Sequence, residues 1–209
     1  RKIVSFGDRL MELAPHLDDK AKDYLIRMQK SSFRMKKLID DLLQLSRVTK
    51  SKSLMIKLNL GAVVAEVLED LESQISRTNG TVKVKSLPTV EANFSQMKML
   101  FQNLISNGLK FYHEGVPPII EISSLEKNQE GWEIRVKDKG VGFEQIFADR
   151  IFLPFERLHQ GASFEGTGIG LAICKKIVEF HHGSINVETL PDHGSTFTIF
   201  LPEKQTETV

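Results

Sequence analysis

GWEIRVKDKGVGF, residues 131–143, decides how the rest of the chain is read. Trp132, Ile134 and Val136 alternate with Glu133, Arg135 and Lys137, the period of a strand with one buried face. Asp138 shares the parity of the apolar residues, so it should point inward. An inward carboxylate is costly unless it is hydrogen-bonded. Gly140 and Gly142 then remove side chains where a flat ligand could slide in, and an exocyclic amine on it would supply a donor. The same letters also suit a turn aspartate followed by turn glycines.

Working outward, IIEISSLE (119–126) and GWEIRVKD (131–138) read as two strands of a hairpin around KNQEG. SINVETL (184–190) and STFTIFLP (195–202) read as a second pair joined by PDHG. Between them GTGIGLAICKKIVEF (166–180) puts Gly166, Gly168 and Gly170 at the start of a helix expected from Gly170 to His181, with Gly183 as its C-cap. Free amides and the helix dipole at such a start favour phosphate. The spacing is not G-x-G-x-x-G, no strand leads directly into it, and G-K-[ST] is missing, so a dinucleotide fold and a P-loop are both excluded. The preceding loop carries Phe152, Pro154 and Phe155 as an apolar anchor, then QGASFEG (160–166), with the composition of a lid.

ANFSQMKMLFQNLISNGLKF (92–111) reads as a long helix, with Asn93 and Gln96 at capping-box spacing. Met97, Phe101, Leu104, Ile105 and Gly108 share one side. Asn103, Asn107 and Lys110 fall within an arc of roughly 60° on another. Neutral amide oxygens suit Mg²⁺, and a lysine one turn on suits a phosphate. Taken alone, this helix reads more simply as a solvated face. GAVVAEVLEDLESQIS (61–76) adds a helix and TVKVKSL (81–87) a strand. Strands and helices do not alternate regularly, which predicts an α/β sandwich, one mixed sheet covered by helices on one face.

The first 50 residues keep a different period. Ile3, Phe6, Leu10 and Leu13 are followed by Pro15 in a turn, after which Asp18 or Asp19 can cap a second helix. Ala21, Met28, Met35 and Leu42 form one heptad row, and Tyr24, Ser31, Leu38 and Leu45 another, widened by Leu25 and Ile39. Two helices cannot enclose so broad a stripe, which predicts a hairpin forming half of a homodimeric four-helix bundle. The alternative is a hairpin packed on the rest of the chain. Domain limits follow as a hairpin at 1–50, a linker at 51–57, a sandwich at 58–203 and a tail at 204–209.

Composition narrows the function. Lys plus Arg number 28 against 27 for Asp plus Glu, a net charge of +1 that gives no support to nucleic-acid binding. The single cysteine, Cys174, excludes an internal disulfide and a cysteine zinc site, and it fits a reducing, cytoplasmic compartment. No apolar run approaches the roughly 20 residues of a membrane helix. The chain opens on RKIVSFGDRL without an initiator Met, so a fragment of a longer protein is expected.

Together the motifs resemble the ATP-binding domain of sensor histidine kinases, within the superfamily that includes the gyrase, heat-shock-ninety and MutL ATPases. QNLISNGLKF is similar to the family's N box, DKGVGF to its G1 box, IFLPF to its F box, GTGIGL to its G2 box and GSTF (194–197) to its closing glycine box. The hairpin resembles the dimerisation and phosphotransfer domain of phytochrome-like kinases, whose second helix ends in a sequence like LIDDLLQLSRV. The resemblance covers nearly the whole chain. It implies ATP and Mg²⁺ as cofactors, with Asn107 and Asn103 on the metal and Lys110 on phosphate. It implies Asp138 on the adenine amine, with Gly140 and Gly142 shaping the base pocket and Thr196 supporting it. Gly166, Gly168, Gly170 and Leu171 would serve the lid hinge and the phosphates, and Arg157 the γ-phosphate.

The resemblance also implies a homodimer, an upstream sensor domain and a response regulator whose aspartate receives the phosphoryl group. Two departures stand out. Gly108 replaces the family's common alanine. The H box with the phosphoacceptor histidine is missing and should end just before Arg1; His16 lies in the turn without the family's downstream proline. The other histidines are assigned no catalytic role. Two alternatives remain at this stage, an ATP-hydrolysing conformational machine of the same superfamily and a non-catalytic dimeric scaffold. The first needs a glutamate beside the N-box asparagine, where Gln102 and Ser106 stand instead.

Overall fold

A computed structural model describes residues 2–13, 18–48, 54–127, 130–158 and 166–204. The expected turn around Pro15 and His16, much of the linker, the lid segment with His159, and the end of the tail lie outside the described residues. The chain divides into two compact units, Arg1–Gln44 and Leu45–Val209.

The first unit holds helix α1 (Lys2–Leu13) and most of helix α2 (Asp19–Arg47). Asp18 caps α2, its Oδ1 accepting from the Ala21 amide at 2.6 Å. A polar interlock joins the helices, Gln29 Nε2 donating to Asp8 Oδ1 at 2.6 Å. Gly7 makes room for it, since a Cβ there would lie 2.9 Å from Gln29 Cγ. The apolar rows stay uncovered by this packing. Phe6 is 60% exposed and Met28 56%, and Ile3, Leu10, Tyr24, Met35, Ile39 and Leu42 are exposed as well.

In the second unit, strand β1 (Ile56–Asn59) leads into helix α3 (Leu60–Asp70), then α4 (Glu72–Thr78), β2 (Thr81–Val84), β3 (Thr89–Ala92) and α5 (Phe94–Gly108). Strands β4 (Ile119–Lys127) and β5 (Gly131–Asp138) form the expected hairpin. Two short 3₁₀ turns follow, then α6 (Gly170–Phe180), β6 (Ser184–Leu190) and β7 (Gly194–Pro202). The main sheet has the order β2-β4-β5-β7-β6, with β2 parallel to β4 and the other pairs antiparallel. The mixed sheet is therefore as expected. Ile120, Ile122, Ile134, Val136, Phe197 and Ile199 are buried on its covered face, while Arg135 and Lys137 are exposed on the other. Val64, Val67, Phe101, Leu104, Ile173 and Ile177 fill the helical layer. Burial of this kind, at about 25 cal/mol per Å² of apolar surface, is what holds the layers together.

Several expectations need correction. The helix expected over 61–76 breaks at Leu71, which leaves helical geometry at φ −97°, ψ 3° while its side chain stays buried. The long helix ends at Gly108 rather than near Phe111. Its capping box is half made: Asn93 Oδ1 accepts from the Gln96 amide at 3.0 Å, but the Gln96 side chain donates to the Val48 carbonyl instead of reaching back. The Asn93 amide is taken by His181 Nε2 at 3.1 Å.

At the end of α6 the left-handed residue is His182, at φ 56°, and not Gly183. The Gly183 amide bonds the Val178 carbonyl and the His182 amide bonds Glu179, which closes a Schellman motif. Gly183 is small for another reason, because a Cβ would lie 2.1 Å from the Phe200 carbonyl oxygen. The β1–β3 pair was not expected, and β1 starts inside the segment read as linker. Each of its strands is only four residues long, too short to give a clear alternation.

Candidate functional site

Helix α5 brings Asn103 to the start of α6. Asn103 Nδ2 donates back to the Met99 carbonyl at 2.9 Å, which directs Oδ1 away from its own helix. That oxygen rests on Gly170, where a Cβ would lie 2.7 Å from it. Asn107, one turn on, is half-buried and has no side-chain hydrogen bond among the described residues. Lys110 lies beyond the helix end, so the arc drawn from helical spacing does not reach it. A turn carries it instead, its amide bonding the Asn107 carbonyl at 3.0 Å. Its Nζ sits 4.2 Å from the Phe111 ring centroid and 2.8 Å from where a Cβ on Gly166 would be.

The glycines of GTGIG have distinct surroundings. Gly166 faces the Lys110 ammonium and Gly170 faces the Asn103 oxygen. Gly168 adopts φ 74°, and a Cβ there would lie 2.8 Å from the Glu156 carbonyl. Its own carbonyl accepts from the Phe155 amide at 2.9 Å, which joins this segment to the end of IFLPF. Helix α6 has no side-chain cap, Ile169 standing at its N-cap. The first amides of the helix, with half-buried Leu171 in its first turn, have no side-chain cap among the described residues, and Asn103 Oδ1 lies beside them.

The apolar anchor is only partly as expected. Phe152 is buried and meets Phe197 edge-on at 6.5 Å, and Ile151 is buried beside it. Pro154 and Phe155 are exposed, Phe155 at φ 68°. Arg157 is exposed just beyond Glu156, which pairs with Arg150 at 3.0 Å.

Asp138 stands beside the C-terminal end of α5, against Gly108. Its Oδ1 accepts from the Gly140 amide at 2.8 Å and the Ser195 amide at 3.2 Å, while Oδ2 has no hydrogen bond among the described residues. Burial raises its carboxyl above the ordinary carboxylate value, against the two backbone amides that lower it. Gly108 lies directly against this residue. A Cβ at 108 would fall 2.8 Å from Ile120 Cδ1 and 3.4 Å from Asp138 Cβ, so Ile120 fills the space of the missing methyl.

The glycines of DKGVGF serve the backbone first. A Cβ on Gly140 would lie 2.0 Å from the Phe111 carbonyl oxygen, and one on Gly142, at φ 56°, 2.1 Å from the Leu190 carbonyl oxygen. Main chain approaches main chain at both positions, which by itself accounts for the missing side chains.

Thr196 is not beside Asp138. It pairs with Lys137 and shares the open face of the sheet with it. Ser195 shares the covered face, and it is the residue that touches the carboxylate. The signal was present in STFTIFLP, where Ser195 has the parity of Phe197 and Ile199. Thr189 was also missed. Its Oγ1 lies 3.0 Å from Ser195 Oγ and accepts from the Phe143 amide at 3.1 Å.

His181 is buried and lowered by that burial, with Nδ1 on the Ile177 carbonyl and Nε2 accepting from Asn93, the pattern of a neutral structural imidazole. Among the described residues no cluster of three His, Cys, Asp or Glu side chains could hold a metal. A cation here would rely on asparagine oxygens and ligand phosphates, the coordination Mg²⁺ prefers. No described helix is long and apolar enough to cross a membrane.

Comparison with known proteins agrees with this arrangement. Residues 92–205 match the family described as histidine kinase-, DNA gyrase B-, and HSP90-like ATPase. The chain is 37% identical over 192 residues to the phytochrome-like protein Cph1 of Synechocystis sp., covering 92% of this chain and 25% of that protein. It spans about a quarter of the length of such phytochrome relatives. Histidine kinase ThkA in complex with the response regulator protein TrrA superposes with a TM-score of 0.70 at 24% identity, covering 96% of this chain and 57% of that one. Full-length ShkA in complex with AMPPNP gives a TM-score of 0.70 at 19% identity, covering 89% and 40%.

Proposed function

The chain belongs to the histidine kinase-, DNA gyrase B-, and HSP90-like ATPase family, and from that premise we propose that it is the Mg-ATP-binding part of a two-component sensor histidine kinase. The observation that carries this reading is the meeting of the last turns of one helix, and the turn after it, with two glycine segments. Asn103 Oδ1 lies on Gly170 and Lys110 Nζ on Gly166, while Asp138 with an open Oδ2 abuts Gly108. A phosphate tail suits the first pair of contacts and an aminopurine the open carboxylate oxygen. AMPPNP, an ATP analogue, is the ligand of the neighbour ShkA.

Asp138 Oδ2 would accept from the adenine amine while Oδ1 stays with the backbone. Lys110 and the uncapped amides of α6, from Gly170 and Leu171, would take the phosphates, with Gly166 and Gly168 letting the chain come close and turn. Asn107 and Asn103 would hold Mg²⁺, which when bound neutralises phosphate charge. Arg157 would approach the γ-phosphate. Catalysis of this kind is mostly positioning and charge neutralisation. The acceptor histidine belongs to an H box outside this chain, so the fragment alone is not expected to phosphorylate itself. From that histidine the phosphoryl group would pass to a response regulator aspartate, the type of partner that TrrA is for ThkA.

The exposed apolar rows of α1 and α2 support a second copy of the hairpin as their cover. Domain limits of 1–50, 51–57, 58–203 and 204–209, an upstream sensor and a cytoplasmic setting complete the proposal. An ATP-hydrolysing machine is less well supported. Gln102 is exposed and Ser106 is occupied with Gln74, so neither of these neighbours of Asn103 and Asn107 is a carboxylate placed to activate water. Incubation with labelled ATP and an H-box-bearing hairpin tests the reading. Phosphohistidine on the added hairpin is expected; steady phosphate release with no phosphoprotein would overturn it in favour of a hydrolase.

A further inference from the structure

Thr189, on edge strand β6, is the centre of a small hydroxyl cluster behind Asp138. Its Oγ1 accepts from the Phe143 amide at 3.1 Å, lies 3.2 Å from the Gly194 carbonyl oxygen and 3.0 Å from Ser195 Oγ. Its own amide donates to Gln145 Oε1 at 2.9 Å, and Gln145 Nε2 donates to the Val187 carbonyl at 3.0 Å. The segment leaving DKGVGF is therefore pinned to β6 by a side-chain amide acting in place of a neighbouring strand.

Proton counting fixes a direction in this cluster. A hydroxyl has one proton and two accepting positions. The Phe143 amide uses one accepting position of Thr189. The Gly194 carbonyl can only accept, so Thr189 must give it its proton. The remaining contact is then made only if Ser195 donates to Thr189. Ser195 thereby spends its single proton, and its oxygen can only accept from anything else. The opposite direction would leave the Gly194 contact without a hydrogen. Through its amide, the same Ser195 holds Asp138 Oδ1.

We infer that Thr189 is a positioning and specificity-determining residue for the base end of the site. It ties Phe143 and Ser195 to one strand and leaves the Ser195 hydroxyl able only to accept, in the residue whose amide holds Asp138 Oδ1. Such an end suits a purine bearing an exocyclic amine and disfavours one bearing a carbonyl at that position. The inference rests on the nucleotide-binding reading above.

The test compares ATP with ITP, which carries a carbonyl in place of the amine. Thr189→Val keeps the shape and removes the hydroxyl, leaving the Phe143 amide unpaired and the Ser195 proton free to turn. Affinity for ATP should fall about tenfold, with ITP affected much less, so that the ATP-to-ITP preference shrinks by a similar factor. Thr189→Ser should restore both to within about twofold of the original. Melting temperature is followed for each variant. An unchanged preference in Thr189→Val, whatever happens to the melting temperature, would reduce Thr189 to a structural residue and overturn the inference. Failure of Thr189→Ser to restore the preference would overturn it too. An original chain that binds neither nucleotide would sink the nucleotide reading itself, a result distinguishable from these.

Discussion

Asp138→Asn separates what the carboxylate does for a ligand from what it does for the fold. An asparagine can keep an oxygen where Oδ1 accepts from Gly140 and Ser195, so the local backbone stays satisfied. In place of the open Oδ2 it presents an amide NH₂, a donor facing the donor of an aminopurine. A hydrogen bond to an ionised acceptor contributes about 1.5–3 kcal/mol, so ATP affinity should fall about ten- to hundredfold.

Stability should move the other way. Burial raises the carboxyl of Asp138 in the folded chain. A group raised in the fold contributes stability below its unfolded value, and that contribution is lost as pH rises through the folded value. Once ionised, Asp138 is a partly desolvated carboxylate whose cost the amide removes. The variant should melt at the same or a higher temperature near neutral pH and lose that advantage in acid. In the original chain ATP affinity should fall as pH drops through the raised value, because only the ionised form accepts with both oxygens. Isothermal titration with Mg-ATP at several pH values, beside thermal denaturation of the free chains, measures both arms. Unchanged ATP affinity in the variant would remove Asp138 from the base site. A melting temperature several degrees lower near neutral pH would mean that its charge holds the fold.

Gly170→Ala puts a methyl 2.7 Å from Asn103 Oδ1. Helix propensity alone gains up to about 1 kcal/mol, so Mg²⁺-dependent ATP binding should weaken while the melting temperature holds or rises. Lys110→Met should cost ATP about ten- to hundredfold in affinity and leave adenosine nearly unaffected, as competition binding would read. Asn93→Ala removes the α5 cap and the contact of Nδ2 with the Leu54 carbonyl. It should cost about 1 kcal/mol and lower the melting temperature by about 2–4 °C, with nucleotide affinity unchanged.

Much of the site was legible as spacing. The inward parity of Asp138, the common face of Asn103 and Asn107, and the glycines heading α6 are all properties of neighbours in sequence. The helical arc was the wrong route to Lys110, because the helix stops at Gly108 and a turn delivers the ammonium to Gly166. Thr196 failed for a reason of register. Only the pairing of Lys137 with Thr196 puts Ser195 on the covered face with Asp138.

What the sequence by itself determined is what short-range chemistry controls. Strand and helix periods, the Asp18 and Asn93 caps, and the apolar rows of the hairpin depend on residues a turn or two apart. Tertiary structure decided whatever depends on a distant partner. Gly140 is small because the Phe111 carbonyl comes to it, Gly142 because Leu190 does, and Gly108 because Ile120 has taken the space. His181 is neutral and structural because Asn93, 88 residues away, gives it an amide to accept. Local spacing cannot encode such contacts, since they exist only once the sheet register and the helical layer have brought the segments together.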